Sequence, residues 1–173
     1  MNTTEIHKQV QAARQGQLPR VIARMPSGWA VLGPNQFLPG YCLLLPDDNP
    51  LDPVGAVVPP HLNALSVPQR QAFLQDMTLL GDAVLEYTGA LRINYEMLGN
   101  LEPALHAHVF PRYGNEPPAL ATKAVWLYDW EQVAVPFDPQ RHQEAMMGIG
   151  ATLLGVARRA GVEVEVNLTF AGG

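Results

Sequence analysis

The chain has a single cysteine, Cys42, in 173 residues, so no intrachain disulfide can close and no thiolate-rich metal cage can be built. Such usage fits a reducing compartment. Positive charge is also scarce: 11 Lys and Arg stand against 16 Asp and Glu, a formal net charge of -5. Polynucleotides are held largely by releasing their counterions to a basic surface, so a nucleic acid polymer is not an expected partner. A small anionic ligand is not excluded, because local donors decide such a site. Charged residues make up only 16% of the chain, below the roughly 25% of an average soluble domain. The 47% hydrophobic content is nevertheless too high for a disordered chain. Long apolar runs are missing. Nowhere do about 18 apolar residues follow one another, and residues 1–10 carry charges with no apolar stretch of signal-peptide length. No membrane association is expected, and the reading is a cytoplasmic protein with one domain over residues 1–173.

The chain does carry 16 prolines and 15 glycines, unevenly spread, and they mark where regular structure stops. Thr4 is placed to cap a short helix with Ile6, Val10 and Ala13 at helical spacing, ended by Gly16; so few apolar positions predict weak packing. The runs 29–32 and 41–45 read as adjacent strands joined by a turn, the second covered on both faces because it lacks polar alternation. Residues 46–60 read as a proline-rich loop or flap with an edge strand at 54–58. Ser66 with Gln69 forms a capping-box pattern, and Phe73, Met77, Leu80, Val84 and Tyr87 follow at steps of four and three, which predicts a helix ending at Gly89. Leu91, Ile93, Tyr95 and Met97 then alternate with polar residues, the pattern of a strand with one face in the core. A further strand spans 105–110, ended by Pro111. Trp126, Tyr128 and Trp130 again recur at period two, before a helix opened by Pro136 and Pro139 and closed at Gly161. A terminal strand at 162–170 could join a sheet edge here or in a second subunit. This order predicts an α+β fold with a mostly antiparallel sheet, one main helix, and an added C-terminal helix and strand.

The chemistry concentrates at His106-Ala107-His108. Two imidazoles two residues apart on a strand stand on the same face and can converge on one ligand. Three readings are open: a chance polar pair, a metal site, or nucleophilic catalysis at phosphorus. A metal would need a third ligand, and His61 and His142 lie far off in sequence, so no metal or cofactor is expected. In catalysis an imidazole attacks and leaves well but needs a partner to fix its proton. Asn94, Asn100 and the backbone amides of the turn at Gly99 could hold phosphate oxygens without adding charge. The two rings are expected to project together into an open cleft lined by such donors. Arg112 could meet phosphate, though a surface role is the commoner one, and Cys42 reads as a small core residue.

The segment 93–113, running from Ile93-Asn94-Tyr95-Glu96-Met97 through Gly99-Asn100 to Leu105-His106-Ala107-His108-Val109-Phe110-Pro111-Arg112, resembles the signature region of the histidine triad family, in particular bacterial diadenosine tetraphosphate hydrolase-like members. The segment 31–46, with Pro39-Gly40 leading into an apolar strand that ends at Pro46, is similar to the family's early hairpin. The resemblance covers about residues 29–115, within a core of about 20–116, and is looser in the extension of about 120–173. It implies a histidine triad-like fold and a nucleotide or dinucleoside polyphosphate as ligand. It implies a hydrolase or nucleotidyl transferase whose middle histidine, His106, attacks the α-phosphorus to form a nucleotidyl-histidine intermediate, assisted by His108. The alternative is a nucleotide-binding or regulatory protein with little turnover, since Ala104 stands where the family has its first histidine. The Ala104 carbonyl can still accept a proton from the nucleophile's other ring nitrogen. Asn100 matches a phosphate-side Gln or Asn, Asn94 lies beside it, and Asn35 falls in the hairpin where ribose is gripped; Gly33 takes the place of a ribose-binding residue of some relatives. Asp47 and Asp48 stand where many relatives have a basic residue and a histidine, and would repel a polyphosphate unless they point away or hold a divalent cation. The apolar strand and helix faces favour a homodimer.

Overall fold

The computed structural model describes residues 4–47 and 58–167. In chain order these form α1 (Glu5–Arg14), β1 (Val21–Met25), β2 (Gly28–Leu32), β3 (Asn35–Gln36), β4 (Cys42–Pro46), α2 (Val67–Thr88), β5 (Arg92–Glu96), β6 (Ala107–Arg112), α3 (Pro118–Ala121), α4 (Trp130–Val133), β7 (Val135–Pro136), α5 (Pro139–Ala160) and β8 (Glu165–Val166). Six strands make one sheet in the order β5-β6-β4-β2-β1-β8, and β3 pairs with β7 in a separate ribbon. Every pairing among the described strands is antiparallel, as an α+β reading requires.

Alternation along the strands divides the core into two layers. Ile22, Leu32, Cys42, Leu44, Leu105, Ala107 and Val109 face α2 and α5, which lie side by side and bring Phe73, Leu80, Val84, Ile149 and Leu153 onto them. Val31, Tyr41, Leu43, Leu45, Ala104 and Phe110 form the second layer with α1 and with Val125 and Tyr128. The predicted helices follow their signals. Ser66 and Gln69 form the capping box of α2, and α2 and α5 stop at Gly89 and Gly161, whose φ of 65° and 69° admits glycine at no steric cost. β4 is buried along its whole length, both of its faces covered, and pairs with β2.

Several elements depart from the sequence reading. α1 packs firmly, with Ile6, Val10 and Ala13 all buried in the second layer, because the sheet offers them a complete apolar face. β1 carries no alternation and escaped notice as a five-residue run between prolines. Pro111 does not end its strand: β6 runs to Arg112, and since β4 pairs only as far as Val109, Pro111 stands where a missing amide proton is tolerated. β5 is an edge strand, and Leu91, Tyr95 and Met97 remain exposed rather than in the core. Trp126 and Trp130 lie in a 3-10 turn (Val125–Leu127) and in α4, not on a strand. Among the described residues of the terminal segment, Glu165–Val166 form the strand, paired with β1 of the same chain. The proposed edge strand at 54–58 falls almost wholly outside the described residues. No helix among the described residues is long and apolar enough to cross a membrane.

Candidate active site

His108 lies on β6 opposite Leu43 of β4 on one side and Glu96 of β5 on the other. His106 stands two residues earlier, just ahead of β6, so both rings face the second layer while Leu105, Ala107 and Val109 face the helices. The rings meet edge to face, with centroids 4.7 Å apart and planes at 79°. The convergence read from the spacing is therefore present, and its surroundings are closer than expected. Exposure is 5% for His106 and 6% for His108. Phe110 stacks parallel to His108 at 5.6 Å, and Trp126 meets it edge-on at 4.7 Å. An open cleft lined by amide donors does not describe this environment.

The Nδ1 of His106 donates to the carbonyl oxygen of Ala104 at 2.8 Å. A carbonyl can only accept, so the ring proton sits on Nδ1 and the Nε2 lone pair is free; no described residue donates to it. Ala104 thus fixes the His106 tautomer through its backbone carbonyl. Burial lowers the pKa of His106, against a smaller upward effect of the Ala104 hydrogen bond, and the ring is neutral at physiological pH. His108 is pushed down to about 3 by burial and by the neighbouring His106. Its Nδ1 lies 2.7 Å from the hydroxyl of Tyr41.

The other anticipated residues are dispersed. Asn94 shares the histidine-bearing side of the sheet, opposite Phe110 and two positions from Glu96. Gly99 and Asn100 are exposed in the connection from β5 to β6. Asn35 belongs to β3, which pairs with β7 and not with the strands around the histidines. Gly33 has no room for a side chain, because a Cβ there would overlap the Tyr41 ring. The Asp47 carboxylate is held in a nearly buried cluster, where Arg14 Nε donates to it at 2.8 Å and Arg24 pairs with it at 3.1 Å. Asp48 lies outside the described residues. Arg112 is not a surface residue. It is buried on Glu116 at 2.9 Å and on the backbone carbonyls of Leu120, Ala121 and Lys123, so it fastens the C-terminal extension to β6. Cys42 is wholly buried, and burial pushes its thiol pKa up. Among the described residues no three His, Cys, Asp or Glu gather as a metal group.

Two residues at the site went unread in the sequence, Tyr41 and Glu96; Trp126 reads there as a packing residue or a nucleobase platform, with no link to Glu96. The indole N–H of Trp126 donates to the Glu96 carboxylate beside His108. Their common signal was an aromatic or acidic residue at odds with its neighbours, but only strand register brings them together.

No family model matches the chain, and comparison with curated proteins finds no match. Solved structures do match. A histidine triad protein from Marinobacter aquaeolei VT8 superposes with a TM-score of 0.64 at 20% identity, over 90% of this chain and 100% of that one. The chain has the histidine triad fold. A histidine triad nucleotide-binding protein from Sulfolobus tokodaii strain 7, described as hypothetical, shares the fold with a TM-score of 0.62 at 10% identity over 89% of this chain and 96% of its own. A zinc-bound histidine triad family protein from Mycobacterium smegmatis gives 0.58 at 17% identity over 86% and 94%. Coverage reaching 90% of this chain extends beyond the span of about 29–115 that the sequence resemblance covers.

Proposed function

We propose that this chain is a nucleotide-binding protein of the histidine triad family, acting as one domain, and that it is a phosphohydrolase or nucleotidyl transferase for a dinucleoside polyphosphate or another nucleotide conjugate. The observation that carries the reading is the hydrogen bond from His106 Nδ1 to Ala104, which leaves Nε2 unprotonated and directed away from its own backbone. In the reaction Nε2 attacks the α-phosphorus, and the bond from phosphorus to the leaving group breaks with its electron pair going to that group. Water or another acceptor then attacks the same phosphorus, loses a proton, and returns the electron pair of the phosphorus–nitrogen bond to the imidazole. His108 holds a phosphoryl oxygen. Asn94, Gly99 and Asn100 are the phosphate-side donors of this reading and Asn35 the ribose-side one. The acidic composition and the lack of a membrane-crossing helix among the described residues support a cytoplasmic setting.

The binding-only alternative is favoured by a specific observation: both rings are about as buried as core residues, and the first triad position is alanine. One experiment separates the two. The full chain is incubated with diadenosine tetraphosphate or an adenosine phosphoramidate, and nucleotide products and an acid-labile mass increase on His106 are sought. Product together with the adduct supports the enzyme; tight nucleotide binding with neither supports the binding protein.

We also propose a homodimer through β5. That strand is an edge, with Tyr95 and the flanking Leu91 and Met97 exposed, and twofold antiparallel pairing about Asn94 would set Arg92 of one copy opposite Glu96 of the other.

A further inference from the structure

A neutral imidazole has one proton for two nitrogens, and which nitrogen carries it decides whether the outward atom attacks or donates. For His106 the question is closed by Ala104. For His108 it turns on Tyr41, whose hydroxyl lies 2.7 Å from Nδ1. Burial pushes the Tyr41 pKa up, so the phenol keeps its proton. The hydroxyl has no other acceptor among the described residues, so that proton goes to Nδ1. His108, neutral because it is buried beside His106, then carries its own proton on Nε2.

We infer that Tyr41 is a positioning residue that fixes His108 in the tautomer opposite to that of His106, so that the pair presents one lone pair and one N–H to a phosphoryl group. The inference deepens the catalytic reading above and rests on it for its chemical meaning. Its geometric support is independent. Tyr41 stacks on Phe110 with centroids 4.2 Å apart and planes at 19°. Gly33 leaves vacant the space that the Tyr41 ring fills. Gln36 clamps the intervening turn: its Nε2 donates to the carbonyls of Gly33 at 3.1 Å and Tyr41 at 2.9 Å, and its Oε1 accepts from Gly40 N at 2.9 Å. Three residues of one hairpin are thus arranged around the placement of a single hydroxyl.

The test is nitrogen-15 NMR of the histidine side chains in the full-length protein and in Tyr41→Phe, with turnover of diadenosine tetraphosphate measured alongside. Phenylalanine keeps the ring and its stacking, so only the hydroxyl is lost. The wild type is expected to show the Nδ1–H form for His106 and the Nε2–H form for His108. In Tyr41→Phe, His108 should shift toward the Nδ1–H form while His106 is unchanged, with kcat falling about tenfold to a hundredfold and KM little altered. An Nδ1–H form for His108 in the wild type, or a tautomer unmoved in Tyr41→Phe, overturns the inference. If the tautomer shifts but the wild type has no turnover, the positioning stands and the catalytic reading fails. Should the variant not fold, the wild-type spectrum still decides which nitrogen bears the proton.

Discussion

The imidazoles of His106 and His108 stand edge to face, 4.7 Å between centroids, so a proton on one makes a proton on the other more costly. Both folded pKa values lie below the unfolded value of about 6.5. Above that pH neither state is protonated and their contribution to stability is fully present. As pH falls, the unfolded rings take up protons first, and stability is lost progressively down to about 3 for His108. His108 alone should cost about 2 kcal/mol between pH 7.5 and pH 5. Urea unfolding at the two pH values checks this; His108→Gln should reduce the difference. The lowered pKa keeps His106, the proposed nucleophile, unprotonated, so kcat/KM should hold steady from pH 8 to somewhat below about 6.5.

His106→Asn should lose the histidine adduct and reduce turnover roughly a thousandfold or more, while the circular dichroism spectrum stays unchanged. Residual turnover near the wild-type rate would move the nucleophile elsewhere.

Asp47 joins β4 to α1 and β1 through Arg14 and Arg24. Asp47→Asn should destabilise the fold by about 2 kcal/mol, because it leaves two half-buried guanidinium groups without their carboxylate. Thermal unfolding measures the loss, and in a double-mutant cycle Arg14→Ala should add less in the Asp47→Asn background than alone.

Arg112→Ala strands the Glu116 carboxylate, which is buried and also accepts from Tyr128 at 2.7 Å. A loss of about 3 kcal/mol is expected. Since Trp126 packs on Phe110 and on Trp130, a red shift in tryptophan emission at mild denaturant should precede global unfolding.

Leu91 is 66% exposed, and Met97, flanking the other end of β5, is also exposed. Leu91→Lys combined with Met97→Lys should leave the fold intact and convert a species of two chains into one of a single chain in light scattering. A wild type already monomeric at micromolar concentration would remove the dimer.

The elements announced by local chemistry were legible. α2 and α5 carry caps, period and glycine stops on their own residues, and the two histidines follow from strand alternation alone. The Ala104 carbonyl was readable for the same reason, since it belongs to the same segment as His106. What stayed hidden depends on register between distant strands. Tyr41 reaches His108 across 67 positions, and Glu96 stands beside it only because β5 and β6 pair as they do. Trp126 and Trp130 have a strand's spacing but fold as short turns, since covering the sheet outweighs their local preference. The exposure of β5 was also illegible, because periodicity shows that a face is apolar and not what covers it.

The clasp between Arg112 and Glu116 has a practical consequence for dissecting the molecule. The residues between β6 and α5 roof the sheet face that holds the two imidazoles, with Val125 and Tyr128 in one apolar cluster with Tyr41 and Phe110, while α5 packs on the other face. Trimming the chain to its histidine-bearing half, as the reach of the sequence motif invites, would leave that oily surface bare and yield an aggregate instead of a minimal module. The tail covers the sheet from both sides, and the histidine-bearing strand lies between its two parts.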